Sequence, residues 1–498
     1  MKGVCRTESL VAFAALFLSP GATAYATQAT LRYHSPAFSA DGSRVVFACD
    51  ASTDDVYELF SSPIDPAAPA VQLNAPFVAG GDVQEYPPLV VSSTGRVVYV
   101  ADALVDGVNE LFSVPVDGSL APVRLSLGDA VQAFEVSPTG TTVVFRRNDR
   151  LYGRAIDGSG PVALLRTPFN HPVYADCISP DGTHVVYLSQ RPGPYPYQLW
   201  SQPIDASADP TWLADVSLAV NWGIEDEEMA VALQFTSDGQ HAMFTESYTT
   251  GARYRRTVPV DGSLSDEPIP YFGSLSPEGT SLVFGRNGPA LLEMSAAGGP
   301  ARPLCLPNCF EMLPGSRGYR SPHRVYFSPD GNWVVCTVVD ESFHFLGLYS
   351  VPRAGAPRPT RLTGPGWFDN VLSTAANRVV FGSGNPFVIE SIPIAGGVPP
   401  VALGRVDMSL ITGGGSAVGV SLDGETLVFA GYPTGGSSSD LYAVPTDGLG
   451  LPVLLDGLAV FARFNGVWIR NGFAVYRRGD LLYGVPLDAS APALLYHD

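Results

Sequence analysis

The chain has 498 residues, 46% hydrophobic and only 15% charged, with 52 Gly, 44 Pro and a formal net charge of −19. So low a charged fraction argues against disorder, coiled coils and long solvated helices, while turn formers beside β-branched and aromatic residues point to an all-β chain. The negative balance excludes a general nucleic-acid binder needing a basic face, and because the lysine is Lys2, lysine chemistry is excluded from the chain beyond it.

The first predicted segment is a targeting signal. Lys2 and Arg6 flank the start of an apolar run, Leu10 to Leu18, which Ser19-Pro20-Gly21 breaks. Small residues follow at Ala22-Thr23-Ala24 and Ala24-Tyr25-Ala26, the layout of a cleavable secretory signal over residues 1–24. That run is too short to cross a hydrocarbon layer about 30 Å thick, and no later stretch reaches the ~18 apolar residues of a spanning helix. Removing the signal takes Lys2, Arg6 and Glu8, a net +1, and shifts the charge from −19 to −20. The expectation is an acidic, exported protein, periplasmic or secreted, without a membrane span.

From residue 31 to 498 the chain is predicted to repeat one unit ten times. A unit runs apolar stretch, Ser-Pro-Asp-Gly, two residues, Val-Val-Phe, variable loop, Leu-Tyr-x-x-Pro-x-Asp-Gly, then Pro-x-x-Leu. The best copies are Ser179-Pro180-Asp181-Gly182 before Val185-Val186-Tyr187 and Ser328-Pro329-Asp330-Gly331 before Val334-Val335-Cys336. The last residue of the apolar triplet is Phe47, Tyr99, Phe145, Tyr187, Phe244, Phe284, Cys336, Phe381, Phe429 and Tyr476, at spacings of 40 to 57 residues and a mean of about 48. Proline sets φ, aspartate caps the backbone and glycine takes φ > 0, so each Asp-Gly is a tight turn. The triplet is the continuous apolar run of a strand buried on both faces. A proline closes the next strand in eight copies, Pro63, Pro115, Pro203, Pro259, Pro352, Pro393, Pro445 and Pro486, which places that strand toward the outside of a sheet. Four short antiparallel strands repeated in this way are the blades of a β-propeller. A single ring keeps every connection equivalent; the long connection near 214–229 would instead allow two smaller propellers of four and six blades.

Ser-Pro-Asp-Gly, Val-Val-Phe or Val-Val-Tyr, and Leu-Tyr-x-x-Pro-x-Asp-Gly together resemble the WD40-like repeat of TolB-type propellers, over roughly residues 33–497. The resemblance implies the propeller fold. It implies no single activity, since such blades serve periplasmic scaffolds, gating domains of serine peptidases and some polysaccharide lyases. In contrast to TolB itself, no separate N-terminal α/β domain is expected between the signal and the first repeat.

Candidate chemistry is sparse. A peptidase would need Gly-x-Ser-x-Gly; Gly413-Gly414-Gly415-Ser416-Ala417-Val418-Gly419 misses that spacing, and the tenth repeat runs to Leu495. His34 and His323 each stand eight residues before a turn glycine, with His171 just upstream of the same position, so a pore-mouth metal or His site in a propeller lyase or hydrolase is the alternative reading. Cys305-Leu-Pro-Asn-Cys309 is expected to close a small disulfide loop, whereas Cys177 and Cys336 fall in strand-like runs as inert core residues.

Loop length carries the functional expectation. The first and third turns of each unit stay short, while the second loop and the links between units vary. Those variable segments hold Tyr195, Tyr197, Trp222, Tyr319, Trp367 and Phe368, together with Glu225 and Asp226 of an acidic insertion. Aromatic side chains on loops held by a rigid scaffold suit a binding face. The expectation is a monomeric, non-catalytic protein that needs no cofactor and binds a protein or glycan of the envelope or extracellular space.

Overall fold

The computed structural model describes residues 36–53, 55–128, 130–165, 173–190, 197–216, 233–247, 253–263, 267–269, 273–285, 290–305, 321–340, 344–364, 368–384, 387–406, 418–433, 440–457, 464–479 and 481–496; for some strand residues the backbone alone is described. Every regular element among them is a β-strand. The first unit shows the pattern: Ala37–Phe38, Arg44–Thr53, Val56–Pro63 and Val71–Gln72 pair antiparallel in sequence order. The same four-strand order recurs at 90–124, 131–164, 173–216, 234–269, 273–303, 321–361 and 464–495. Residues 368–406 and 418–456 form two more such units joined in one eight-stranded sheet, because Val401–Val406 also pairs with Thr426–Pro433. The chain is an all-β propeller.

The apolar triplets lie where the sequence implied. Val45, Val143, Val185, Val334 and Val428 are each 0% exposed, and Phe145, Phe244, Phe381 and Phe429 are buried beside them. The eight closing prolines are the last residues of their third strands, each facing the start of the second strand, as in Arg44↔Pro63 and Trp333↔Pro352. A missing donor costs nothing there.

The core lies between units. Val46, Ala48 and Leu59 of the first unit cluster with Val97, Tyr99 and Val114 of the second, and this sharing passes from each unit to the next. Leu213 and Val216 of unit 4 share a cluster with Leu233 and Phe235 of unit 5, across the long connection. The last unit meets the first: Val475, Leu482 and Tyr496 pack with Val45, Phe47 and Phe60. At that seam the Tyr496 hydroxyl donates to the Ile64 carbonyl at 2.6 Å, and the Asn471 amide donates to the Asp41 carbonyl at 2.9 Å.

Candidate functional site

Strand order divides the molecule into two faces. The reversals between first and second strands and between third and fourth emerge on one, here the turn face. The reversals between second and third strands and the links to the next unit emerge on the other, the loop face.

The turn face satisfies itself. Ser179 Oγ donates to Asp181 at 2.6 Å, Asp181 accepts from the Thr183 N–H at 3.0 Å, and the His184 N–H donates to Ser179 Oγ at 2.9 Å. Ser39–Asp41, Thr236–Asp238, Ser328–Asp330 and Ser421–Asp423 repeat this clamp. The Ser39 hydroxyl, with the N–H and hydroxyl of Ser43, holds the exposed Asp41 carboxyl at about 2. The hydroxyl is the part the sequence reading missed: proline, aspartate and glycine explain the turn, but the buried Ser or Thr before them locks it to the strand. Its repetition at Ser39, Ser92, Ser137, Ser179, Thr236, Ser276 and Ser328 within this one chain is the signal that could have revealed it.

Beneath these turns, Arg44, Arg96 and Arg378 each donate Nε to a serine of the third strand (Ser61, Ser113 and Ser391) at 2.8 Å. Unit 6 reverses the polarity. Ser281 stands in the arginine position and Glu293 in the serine position, and Arg353 arrives from unit 7, pairing with Glu293 at 2.8 Å and with Glu278, and donating to Ser281 at 2.6 Å. Burial works to raise the Glu293 carboxyl, but hydrogen bonds from Arg353 and Ser281 and the charges of Arg353 and Arg302 outweigh it and hold it low. Where glycine replaces that serine, at Gly153 and Gly484, grooves of about 530 Å³ open between units 3 and 4 and between units 10 and 1. Their walls carry Pro161 and Pro203, or Pro66, Pro486 and Pro492, and no aromatic anchor beyond Phe473. The glycines let neighbouring groups close in: a Cβ at Gly153 would overlap the Ile204 carbonyl oxygen, and one at Gly484 would stand 2.7 Å from the Tyr496 hydroxyl.

The loop face is less regular. Asp102, buried, accepts from the Asp82 N–H at 2.6 Å and the Gly107 N–H at 3.0 Å, tying the 102–109 loop to the link from unit 1. Leu104 and Val105 of that loop, Val78 and Tyr86 of the link before it and Leu127 of the link after unit 2 stand exposed.

The sequence-derived candidates separate as follows. Tyr195, Trp222, Tyr319, Trp367, Glu225, Asp226, His34, His171 and Cys309 lie outside the described residues. Tyr197 is a correction. It opens the third strand of unit 4 opposite Gln190 and is 4% exposed in the core with Leu199 and Val216, because the ladder begins one residue earlier than the loop pattern implied. Phe368 is likewise corrected from loop to strand, opposite Ser383, with its backbone alone described. His323 lies on the first strand of unit 7, within a register shift between Pro322 and Val325. Cys305 is buried at the edge of the described residues. Cys49, Cys177 and Cys336 are buried thiols outside any disulfide. Burial pushes the Cys49 and Cys336 thiols up to about 12, which leaves them protonated and unreactive at neutral pH. Among the described residues, no three His, Cys, Asp or Glu side chains gather as a metal site, and no helix is long and apolar enough to cross a membrane.

No protein-family model matches the chain, and no curated protein does. Solved structures similar to it include a tricorn protease, at 11% identity and a TM-score of 0.31, covering 85% of this chain and 43% of that one. A eukaryotic initiation factor is similar at 10% identity and a TM-score of 0.44, covering 78% of this chain and 94% of that one. The chain spans less than half of the tricorn protease chain. These likenesses bear on fold alone.

Proposed function

We propose that this chain is an exported, non-catalytic propeller whose partner, a protein or glycan, meets the loop face. The observation that supports this reading is the contrast between faces. Turn-face hairpins are short and their polar groups are consumed by their own clamps, although Leu120, Leu422, Leu449 and Leu451 are exposed there, whereas the loop face carries links of unequal length that expose Leu104, Val105, Val78, Leu127 and Tyr86. Loops of variable length on one side of a rigid scaffold are the usual carriers of a binding face. The charge of −19, or −20 without the signal, favours a neutral or basic partner over a polyanion.

Further parts of this reading rest on sequence and packing together. Residues 1–24 act as the export signal, and export suits a Cys305–Cys309 disulfide. The repeat is of TolB type. The shared core between units 4 and 5, and the seam between units 10 and 1, favour one closed ring of ten blades over two smaller rings. The protein works as a monomer.

The test is a pull-down from the native envelope fraction or culture medium, with wild type beside the triple variant Trp222→Ala, Tyr195→Ala, Trp367→Ala. Loss of one partner by the folded variant is the expected result. Equal recovery of the same partners by both proteins would reject the loop face, and turnover of a glycan by purified protein would reject the non-catalytic reading.

A further inference from the structure

Leucine is spread unevenly over the turn face. Among the described residues, the three most exposed large hydrophobic side chains are Leu449, Leu451 and Leu422, at 89%, 87% and 77%, and all three belong to unit 9. Leu422 tips the turn between its first and second strands, and Leu449 and Leu451 the turn between its third and fourth. Thr446 ties the two turns together. Its hydroxyl donates to the Gly424 carbonyl at 2.7 Å and its N–H to the Glu425 carbonyl at 2.9 Å. Gly448 packs against unit 8, where an added Cβ would stand 2.5 Å from Val401 Cγ1. Val401, Val398 before it and Leu454 of the unit 9 fourth strand are exposed as well, and they extend the apolar surface along the outer rim of units 8 and 9.

Folding does not call for these leucines. In units 2, 3, 4, 5 and 10 the position of Leu449 holds a serine: Ser119, Ser159, Ser207, Ser263 or Ser490. Each of those serines donates its N–H to the aspartate two residues before it. Leu449 makes the same backbone bond to Asp447 at 2.9 Å, so the turn closes without a serine hydroxyl. Leu422 stands where units 3, 4, 6 and 7 have Pro138, Pro180, Pro277 and Pro329, the residue that pre-sets φ for the turn. A unit that keeps its turns but exchanges serine and proline for solvent-facing leucine adds nothing to its own core. Single exposed leucines are ordinary; exposed apolar side chains gathered in one place mark a contact surface.

We propose that this rim of unit 9 docks a segment of another protein that presents apolar side chains flanked by lysine or arginine. The surface goes beyond the loop-face reading and is independent of it. The turn-face clamps leave few free polar groups, so what the rim offers is apolar contact and charge. Asp423, Glu425 and Asp447 stand exposed beside the leucines, and residues 394–404, 418–430 and 440–456 contain no lysine or arginine. Arg378 is drawn to Asp447, but its Nε is held by Ser391 beneath the turn. The exposed Arg358 belongs to unit 7, with unit 8 between it and the leucines. A second copy of this chain would bring the same carboxylates to the contact, and an anionic membrane would bring phosphates, so both meet like charge. A basic, apolar segment finds complementary charge and apolar area together.

Fluorescence anisotropy tests this with a labelled amphipathic peptide of leucine and lysine, titrated with the purified protein beside a counterpart carrying glutamate in place of lysine. Wild type should bind the lysine peptide, more weakly with added salt, and should leave the glutamate peptide free. Leu422→Pro with Leu449→Ser, each a residue that other units carry at that position, should weaken binding roughly tenfold or more, the loss of two leucine contacts. Leu449→Ser alone should account for much of that loss, and Leu120→Ser, in the matching turn of unit 2, should change nothing. These exchanges leave every charge in place. Undiminished binding by the double variant, with an unfolding midpoint within a few degrees of wild type, would mean that net charge alone holds the peptide and would overturn the proposal. So would absence of binding to the lysine peptide, or equal binding of the glutamate peptide. A wild-type dimer in sedimentation that the double variant abolishes would overturn it too, since a second copy would then be the occupant.

Discussion

On the turn face, the Ser39, Ser179 and Ser328 hydroxyls and the Asp41, Asp181 and Asp330 carboxylates occupy one another and the nearby N–H groups. On the loop face, Asp102 ties one long loop in a similar way, but Leu104, Val105 and Tyr86 stand in solvent, and the first strands break register as they approach it. A face whose polar groups are already paired has little hydrogen bonding left to offer a ligand. The loop-face proposal therefore predicts that substitutions divide, with changes at the turn-face clamps affecting stability and loop-face changes affecting binding of that partner.

The largest expected effect is at the unit 6–7 seam on the turn face. Arg353→Met removes the partner of Glu293, which is 5% exposed, and should cost about 2–3 kcal/mol in urea unfolding. The figure lies below the usual cost of breaking a buried pair because Arg302 remains and Arg353 is itself partly exposed. A loss under ~0.5 kcal/mol would mean the network does not hold the seam. Next comes a matched pair of glycines. Gly182 has φ +74° and an added Cβ would stand 2.5 Å from Thr139 Oγ1, whereas Gly107 has φ +73° and open space. Gly182→Ala should cost about 2–3 kcal/mol and Gly107→Ala about 1, since both carry the left-handed penalty but only the turn-face site adds a clash. Equal losses would erase the distinction.

Smaller still is the clamp. Ser328→Ala leaves the Trp333 N–H without its acceptor and should cost about 1 kcal/mol. The clamp also predicts an acid limit. The Asp41 carboxyl falls from 3.8 to about 2 on folding, so its contribution is complete above about pH 4 and disappears as pH falls toward 2. Asp181, Asp238, Asp330 and Asp423 are lowered by the same Ser or Thr hydroxyls, so their contributions share that direction. Unfolding midpoints should drop in this window, and less steeply in Asp41→Asn; a midpoint flat from pH 5 to 2 would contradict the clamp. Least of all should loop-face leucine matter: Leu104→Ser should stay within about 0.5 kcal/mol of wild type, and a larger loss would make that loop part of the core.

Much of the fold was legible because the unit repeats. Val45, Val143 and Val185 were recognisable as core from the triplet, and Pro63, Pro203 and Pro352 as strand ends, since period and missing donors are local properties. The candidate site was less legible. Tyr197 looked like a loop aromatic because nothing in its neighbours tells whether the ladder begins at residue 197 or later; pairing with Gln190 decides that. The register shifts of the first strands were half visible. Counting thirteen residues back from Phe145, Tyr187 and Cys336 reaches Gln132, Tyr174 and His323, and from Phe47 reaches His34, but only register shows that the three described positions are bulges.

Sequence by itself determined the class of structure, the four-strand unit and the residues that turn and bury it, because turn chemistry and strand period act within a few neighbouring residues. Tertiary structure alone decided which units share a core, how Arg353 crosses a seam to Glu293, how Tyr496 reaches Ile64, and where the inner strands slip by one residue. Those depend on side chains distant in sequence meeting at close range, and a repeat that looks the same in every copy does not say which neighbour each copy will meet.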